Sequence, residues 1–291
     1  MELLTTSEAA DYLRLGERKL YELVAEGRIP CSKVTGKWLF PRHELDRWVV
    51  AGLMRPEGMS PSEPPSIVGG SQDDLLEWSL RQSGSGLATL SEGTEGGVAR
   101  LLRGEAAVAA IHFHGEAADA NVAAAAAMPQ LYDVVLVGFV RREQGLLLPH
   151  GNPKSLHSLD DVLASGARIA GRQRGAGADM LLNLLLAKAG AAHGDLNLLE
   201  PPCLTGPDLA AAVRTGRADC GIASRAAARA AGLEFMPLLW ENFDLLLRQR
   251  TYFQPSFQAL LKFLPLRPFA DRAAELTGYD TSPAGQIRFF K

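Results

Sequence analysis

Cysteine is scarce in this 291-residue sequence: Cys31, Cys203 and Cys220 are odd in number and widely scattered. That pattern excludes a disulfide framework and a cysteine metal knot, and predicts buried thiols of a cytosolic protein. Long apolar runs are missing as well, and Met1-Glu2-Leu3-Leu4-Thr5-Thr6-Ser7-Glu8 carries neither a basic nor an apolar leader segment, so a cytoplasmic protein with no membrane partner is expected. Neither sign of charge dominates. With 30 Lys and Arg against 33 Asp and Glu, the formal net charge is -3, and any contact with nucleic acid must come from a local surface. The usual marks of catalysis are absent too. No nucleophile stands in a recognisable constellation with a base, and the loop Gly171 to Gly177 has neither the Gly-Lys-Ser ending of a nucleotide P-loop nor the spacing of a dinucleotide fingerprint. No catalytic residue is therefore assigned, and neither enzyme activity nor a cofactor is expected. His112 and His114 alternate along an expected strand and would face opposite sides, so no metal site is expected either.

What is present is ordinary globular composition, 47% hydrophobic and 22% charged, over a length sufficient for two or three domains. Residues 1–55 read as a small reading head. Thr5-Thr6-Ser7-Glu8 is a capping box opening a helix through Leu13, which Leu15-Gly16 breaks. From Glu17, the spacing of Leu20, Leu23 and Val24 predicts a second helix that stops at Gly27. Ser32 to Phe40 has a Gly turn between short β-prone runs, hence a hairpin, and Pro41 to Leu53 closes the segment with a helix placing Leu45, Trp48 and Val49 on one face.

This segment resembles the winged helix-turn-helix of the excisionase and MerR-like DNA-binding family. The resemblance lies in Thr6-Ser7-Glu8-Ala9-Ala10-Asp11-Tyr12-Leu13, in Tyr21 to Gly27 with Arg28-Ile29-Pro30, and in Gly36-Lys37-Trp38-Leu39-Phe40. It implies that the second helix enters the major groove and the wing grips the backbone, with Arg18, Lys19 and Tyr21 as readers and Lys33, Lys37 and Arg42 as phosphate contacts. Bulk charge adds nothing, because residues 1–55 hold nine Lys and Arg against eight Asp and Glu. The four prolines within residues 56–66 mark a semi-rigid linker and a domain boundary.

Residues 67–291 repeat a phrase. Arg168 to Leu186 reads as strand, Gly- and Arg-rich loop, helix start, an arrangement that aims unpaired N–H groups and cations at an anion. Ile67-Val68-Gly69-Gly70-Ser71 followed by a helix from Asp74 is a second such turn. Gly93 and Thr94 open a helix that runs through Gly104-Glu105-Ala106 into a strand from Ala107 to Phe113. Thr205-Gly206-Pro207-Asp208 opens another, which runs through Gly216-Arg217-Ala218-Asp219 into Cys220 to Ala223. The recurrence predicts two related α/β lobes around a shared cleft.

On those motifs, and on Ile111-His112, Arg142-Glu143-Gln144-Gly145-Leu146 and Gly151-Asn152-Pro153, the segment resembles the periplasmic-binding-protein superfamily. More narrowly it is similar to the cytoplasmic binding-protein-like domain found behind helix-turn-helix modules and on some molybdopterin-biosynthesis proteins. Where that family often has Gly-Ser-Gly-Thr-Arg, this chain has Gly175-Ala176-Gly177-Ala178-Asp179; an aromatic residue common near Ala120-Asn121 is absent, and Gly206-Pro207 replaces a more usual polar pair.

The expected architecture is therefore multi-domain α/β, a small winged helix-turn-helix followed by a two-lobed periplasmic-binding-protein-like α/β domain. Its parts are a DNA-binding domain over 1–55, a linker over 56–66 and a ligand-sensing domain over 67–291. Lobe one holds about 67–138 and 240–291, and lobe two about 139–239. Candidate ligand contacts are Ser71, Thr94, His112, Arg142, Arg172, Arg174, Gly175 and Thr205, although a Ser or Thr at these loops serves equally as a helix cap and either loop arginine can pair with a surface carboxylate. The expected function is that of a DNA-binding regulator sensing a small anion. The donors at the helix starts suit a tetrahedral oxyanion, and the resemblance supplies its name, molybdate or tungstate; the cations Arg172 and Arg174 suit a small organic acid equally well. A homodimer is expected, because one winged module covers only a short half-site. The rival from another class is a molybdenum-cofactor enzyme or scaffold that uses the N-terminal module for protein contacts.

Overall fold

The structure, a computed structural model, describes residues 2–33, 36–52, 63–115, 117 and 119–291. The chain forms two compact units, Met1–Pro61 and Ser62–Lys291. Most of the segment read as a linker, along with Val34, Thr35 and Leu53, lies outside the described residues.

In the first unit the order is β1 (Leu3–Leu4), α1 (Thr6–Leu13), α2 (Glu17–Ala25), β2 (Ser32–Lys33), β3 (Trp38–Pro41) and α3 (Arg42–Ala51). The capping box forms as its residue types require: the Glu8 amide donates to Thr5 Oγ1 at 3.4 Å, and the Thr5 amide donates to Glu8 Oε2 at 2.8 Å. β1 pairs antiparallel with β3 and completes a three-stranded sheet that the hairpin alone does not announce. Ala9, Ala10, Leu20, Leu23, Ile29, Phe40 and Leu45 make the core, with Val24 and Trp48 packed on its margin. Val49 departs from the expected inward face and is 43% exposed, since Leu45 and Trp48 already span the contact side of α3. Cys31 is half-buried, whereas Cys203 and Cys220 are buried.

The second unit opens with β4 (Ile67–Gly70), α4 (Asp74–Gln82), β5 (Ala88–Ser91), α5 (Thr94–Arg103), β6 (Val108–Ile111), α6 (Ala120–Ala127) and the long β7 (Val134–Leu148). Next come α7 (Leu159–Ser165), β8 (Arg168–Ala170), α8 (Gly177–Lys188), β9 (Asn197–Leu198), α9 (Gly206–Arg214), β10 (Cys220–Ser224), α10 (Arg225–Ala231) and the long β11 (Glu234–Arg248). The chain ends with α11 (Gln249–Tyr252), α12 (Pro255–Phe263), α13 (Arg267–Leu276), β12 (Tyr279–Asp280) and β13 (Ile287–Phe290).

Among the described residues these strands form one ten-stranded sheet in the order β5-β4-β6-β11-β7-β10-β8-β9, with β12 and β13 added on β7. Parallel strands lie at both ends, β5, β4 and β6 on one side and β10, β8 and β9 on the other, and the antiparallel pair β7 and β11 runs between them. Along β7 the second neighbour changes from β13 and β12 to β10 between Arg142 and Gln144. One lobe therefore gives way to the other at that point. Each lobe has its own core, Leu75, Leu76, Phe139, Phe243, Phe257 and Leu260 in the first and Leu146, Ile169, Leu181, Leu186 and Ile222 in the second. Close packing of helix on strand depends on one glycine contact: a Cβ on Gly97 of α5 would sit 2.4 Å from Gly70 Cα of β4. No described helix is long and apolar enough to cross a membrane.

Candidate functional site

Two places carry chemistry. In the head, α2 displays Arg18, whose side chain is 95% exposed, beside Lys19 and the exposed Tyr21. Arg18 Nε lies 3.5 Å and Lys19 Nζ 3.1 Å from Glu22, both within one turn of the same helix. Such surface pairs are weak and exchange readily for phosphate oxygens. Lys33 stacks over Trp38 at 5.0 Å, Arg42 pairs with Glu2 at 3.1 Å and lies over Tyr12 at 4.9 Å, and Lys37 is exposed. The six residues proposed for DNA contact are thus all on the unit's surface or margin, Arg42 being the one most engaged.

The second place is the cleft between the lobes, which is closed. The Glu95 amide, near the start of α5, donates to the Gly175 carbonyl at 3.2 Å. Gly177, the first residue of α8, lies under the His112 ring so closely that a Cβ there would meet ring atoms at 2.2 to 2.5 Å. Between the lobes remains a cavity of about 40 Å³, lined by Ser71, Gln72, Asp73, Asp74, His112, Arg142, Gln144 and Arg172 and by the starts of α8, α9 and α10.

The starts of α4, α8, α9 and α10 converge on it, because in each case a short strand ends in a loop whose next residues begin a helix. Three of the four are capped by side chains: Asp73 accepts from the Leu76 amide, Thr205 from Asp208 and Ser224 from Ala227. α8 is the exception. Its N-cap is Ala176, which has no side chain to offer, so the first amides of α8 remain for another acceptor.

Behind the cavity stands a buried charge network. Strand alternation puts Arg142 and Gln144 on one face of β7, while Glu143 faces the other way and pairs with Arg225. Arg142 donates through Nε to Glu241 Oε1 at 2.5 Å, and through Nη1 to Asp73 Oδ2 at 2.9 Å and the Gln72 carbonyl at 3.2 Å. Its face lies 4.2 Å from the Phe243 centroid. Gln144 Nε2 donates to Glu241 Oε1 at 2.9 Å, and Tyr279 Oη donates to Asp73 Oδ2 at 2.9 Å. Burial opposes charge throughout and is overcome where partners are close. It would raise Glu241, but His112 and Arg142 hold that carboxyl well below its usual range; it would lower Arg142, but Glu241 and Asp73 hold that guanidinium above its own. For His112 burial wins and lowers the imidazole to about 4, so the ring is neutral.

The expected contacts separate into two groups. Ser71, His112, Arg142 and Arg172 line the cavity. Thr94 lies just behind it, fully buried, its hydroxyl 2.9 Å from Ser71 Oγ and accepting from the His112 amide at 3.2 Å. Thr205 caps α9, Gly175 joins the lobes through its carbonyl, and Arg174 is exposed outside the cavity. Arg172 is held instead by neutral acceptors, the carbonyls of Cys203 at 3.1 Å and Leu204 at 2.8 Å and Gln173 Oε1 at 3.2 Å. Among the described residues it pairs with no carboxylate. Burial, with Arg142 nearby, lowers it to about 10.

The histidines require a correction. The expected strand through Phe113 ends at Ile111, so strict alternation no longer governs the residues beyond it. His112 Nδ1 lies 3.0 Å and His114 Nε2 2.8 Å from the same Glu241 Oε2, and both side chains are buried. The ligand atoms of His112, His114 and Glu241 all lie within 4.8 Å of one another, close enough to hold a metal ion. In this arrangement they satisfy each other, and Glu241 collects donors from His112, His114, Arg142 and Gln144.

Sequence reasoning missed Asp73, Asp74, Gln144, Glu241 and Ser224. Two of them left a trace. Gln144 stands two residues from Arg142 in the same motif, the spacing that shares a face on a strand, and Glu241 follows directly on the apolar Leu238-Leu239-Trp240.

Comparison with known proteins agrees with both halves of the architecture. A model of the PBP superfamily domain matches residues 77–265, and a helix-turn-helix domain model matches residues 3–50. The uncharacterized protein YvgK of Bacillus subtilis (strain 168) is 22% identical over 299 residues, spanning 97% of this chain and 96% of its own. The effector-binding domain of QuiR, solved with shikimate, aligns with a TM-score of 0.51 at 12% identity over 70% of this chain and 96% of that one. A cysteine-to-serine mutant of Corynebacterium glutamicum OxyR, bound to hydrogen peroxide, gives a TM-score of 0.51 at 13% identity over 94% of this chain and 89% of that one.

Proposed function

The chain belongs to the periplasmic-binding-protein (PBP) superfamily and carries a helix-turn-helix domain in front of it, and from that premise we propose a DNA-binding transcriptional regulator whose cleft senses a small organic acid. The observation that carries the nature of the ligand is Arg172, a cation lining the cavity beside the uncapped start of α8 with no carboxylate of its own among the described residues. Molybdate or tungstate is the weaker reading. Asp73 and Asp74 line the same cavity, and a fully deprotonated oxyanion brings only negative charge and acceptors to them.

Of the cavity's hydroxyls, Ser71 bonds to Thr94 and Ser224 caps α10 by accepting from the Ala227 amide, structural roles that support binding over catalysis. Two heads act together as a homodimer, because a single head reads too few base pairs to select one site in a genome. Fluorescence anisotropy of the full chain with DNA from upstream of its own coding region, with and without a panel of two- to four-carbon acids, tests the regulator. A specific shift at two chains per site, changed by at least one acid, is the expected result. Binding equal to that of random DNA in every condition refutes it.

A further inference from the structure

The cavity lining also carries groups of opposite chemistry. Gln144 is 3% exposed and lines the cavity, and its amide orientation is fixed, because Glu241 Oε1 accepts and only Nε2 can face it. That leaves Gln144 Oε1 buried without a hydrogen-bond partner among the described residues. A buried acceptor in that condition calls for a donor. Asp74 lines the same cavity, its described side-chain partner being Gln72 Nε2 at 3.0 Å. Burial, with Asp73 adding to it, raises its pKa, and a donor or a cation would relieve that. Arg172 and the free amides of α8 line the same cavity. The lining of this one cavity of about 40 Å³ thus asks both for an anion and for a hydrogen-bond donor.

We propose that the ligand is a small amphoteric acid: one carboxylate, taken by Arg172 and the α8 amides, and an O–H or N–H donor on a neighbouring carbon, taken by Gln144 Oε1 and Asp74. This rests on the reading of the cleft as an anion site and adds a second requirement to it. Hydroxy acids and amino acids share that chemistry, and a plain carboxylate or an oxyanion lacks the donor.

Calorimetric titration and thermal melts of the full chain with matched sets distinguish the cases: acetate, glycolate and glycine; propionate, lactate and alanine; with sulfate and molybdate alongside. The expected result is that at least one hydroxy or amino acid binds about tenfold or more tighter than its plain homologue, the scale on which a site with buried polar groups rejects a ligand that leaves them unpaired. Which of the two binds identifies the donor. In Gln144→Leu the preference of the hydroxy or amino acid over its plain homologue falls to about twofold or less. Asp74→Asn, at a partly exposed position outside the Glu241 network, reduces the preference without that network being disturbed, and so serves if Gln144→Leu fails to fold. If plain acids bind as tightly as their hydroxy and amino homologues, or if only sulfate or molybdate binds, the amphoteric ligand is refuted while an anion sensor stands. Binding by none of the set refutes the inference, and the DNA measurement then decides the regulator separately.

Discussion

The head and the cleft use the same residue types in opposite ways. In the head, Arg18 and Lys19 share Glu22 on an exposed helix face, where an ion pair contributes about 0–1 kcal/mol and partners exchange freely. In the cleft, Arg142, Asp73 and Glu241 are almost fully enclosed, and each has its bonds assigned by neighbours from distant parts of the chain. A surface that must meet a partner through phosphates gains from loosely held charge. A site that must tell one small molecule from another gains from charges that cannot move.

The sharpest way to break this comparison is Arg142→Met. Removing the guanidinium leaves Asp73 and Glu241 as buried carboxylates without their cation, and the expected loss is about 3–5 kcal/mol of unfolding free energy. Urea unfolding of the full chain measures it, and a loss under about 1 kcal/mol would place this pair in the same class as those on the head. Next in size is the response to pH. His112 is lowered to about 4 in the folded chain, from an ordinary value of 6.5, so the unfolded chain binds the proton first. Stability is complete above pH 6.5 and falls as the pH drops through 6.5 towards 4, by up to about 3 kcal/mol from this group. Glu241, held well below its usual range, adds to the loss in the same direction at the acid end, with Arg142 its charged neighbour and the His114 ring 2.8 Å from it. Melting temperatures measured from pH 7 to 4.5 should show the decline, and His112→Gln should flatten it between 6.5 and 5. The smallest structural effect belongs to the head: Arg18→Ala should shift the melting temperature by no more than about two degrees while weakening DNA binding. If Arg18 touches phosphate, the salt dependence of binding drops by about one ion; if it reads a base, the loss is confined to the specific site.

Local rules made much of the architecture legible. The Thr5 and Glu8 box, the Leu20, Leu23 and Val24 stripe, and the passage from β8 into α8 are each written within a dozen residues, and each appears where its pattern places it. The candidate site was legible only where it, too, is local. Ser71 and Arg172 lie on loops at strand ends, and the βα pattern points to such positions. Glu241 receives Gln144 from 97 residues away and His112 from 129, and no window of sequence holds both partners. Arg172 and Arg174 differ in a way that spacing does not show: the first is drawn in by the carbonyls of Cys203 and Leu204, and the second meets no comparable acceptor among the described residues. The histidine reading failed on one boundary, since a strand two residues shorter than expected lets both rings turn to one acid.

β7 and β11 lie side by side over fifteen residues each, with irregularities between Pro237 and Leu239 and between Phe243 and Asp244. Mechanically, such a ribbon is stiff against sliding, because a slip of one residue would turn every side chain to the wrong face, yet it yields to torsion, the soft mode of paired strands. The ribbon thus permits rotation of the lobes about it and resists translation across it. Arg142, Gln144 and Glu241 sit on the ribbon itself, where such a rotation produces the least displacement. The proposed donor-reading residue Gln144 is thus carried on the ribbon, whereas Arg172 and the helix starts lie on the loops that the ribbon joins.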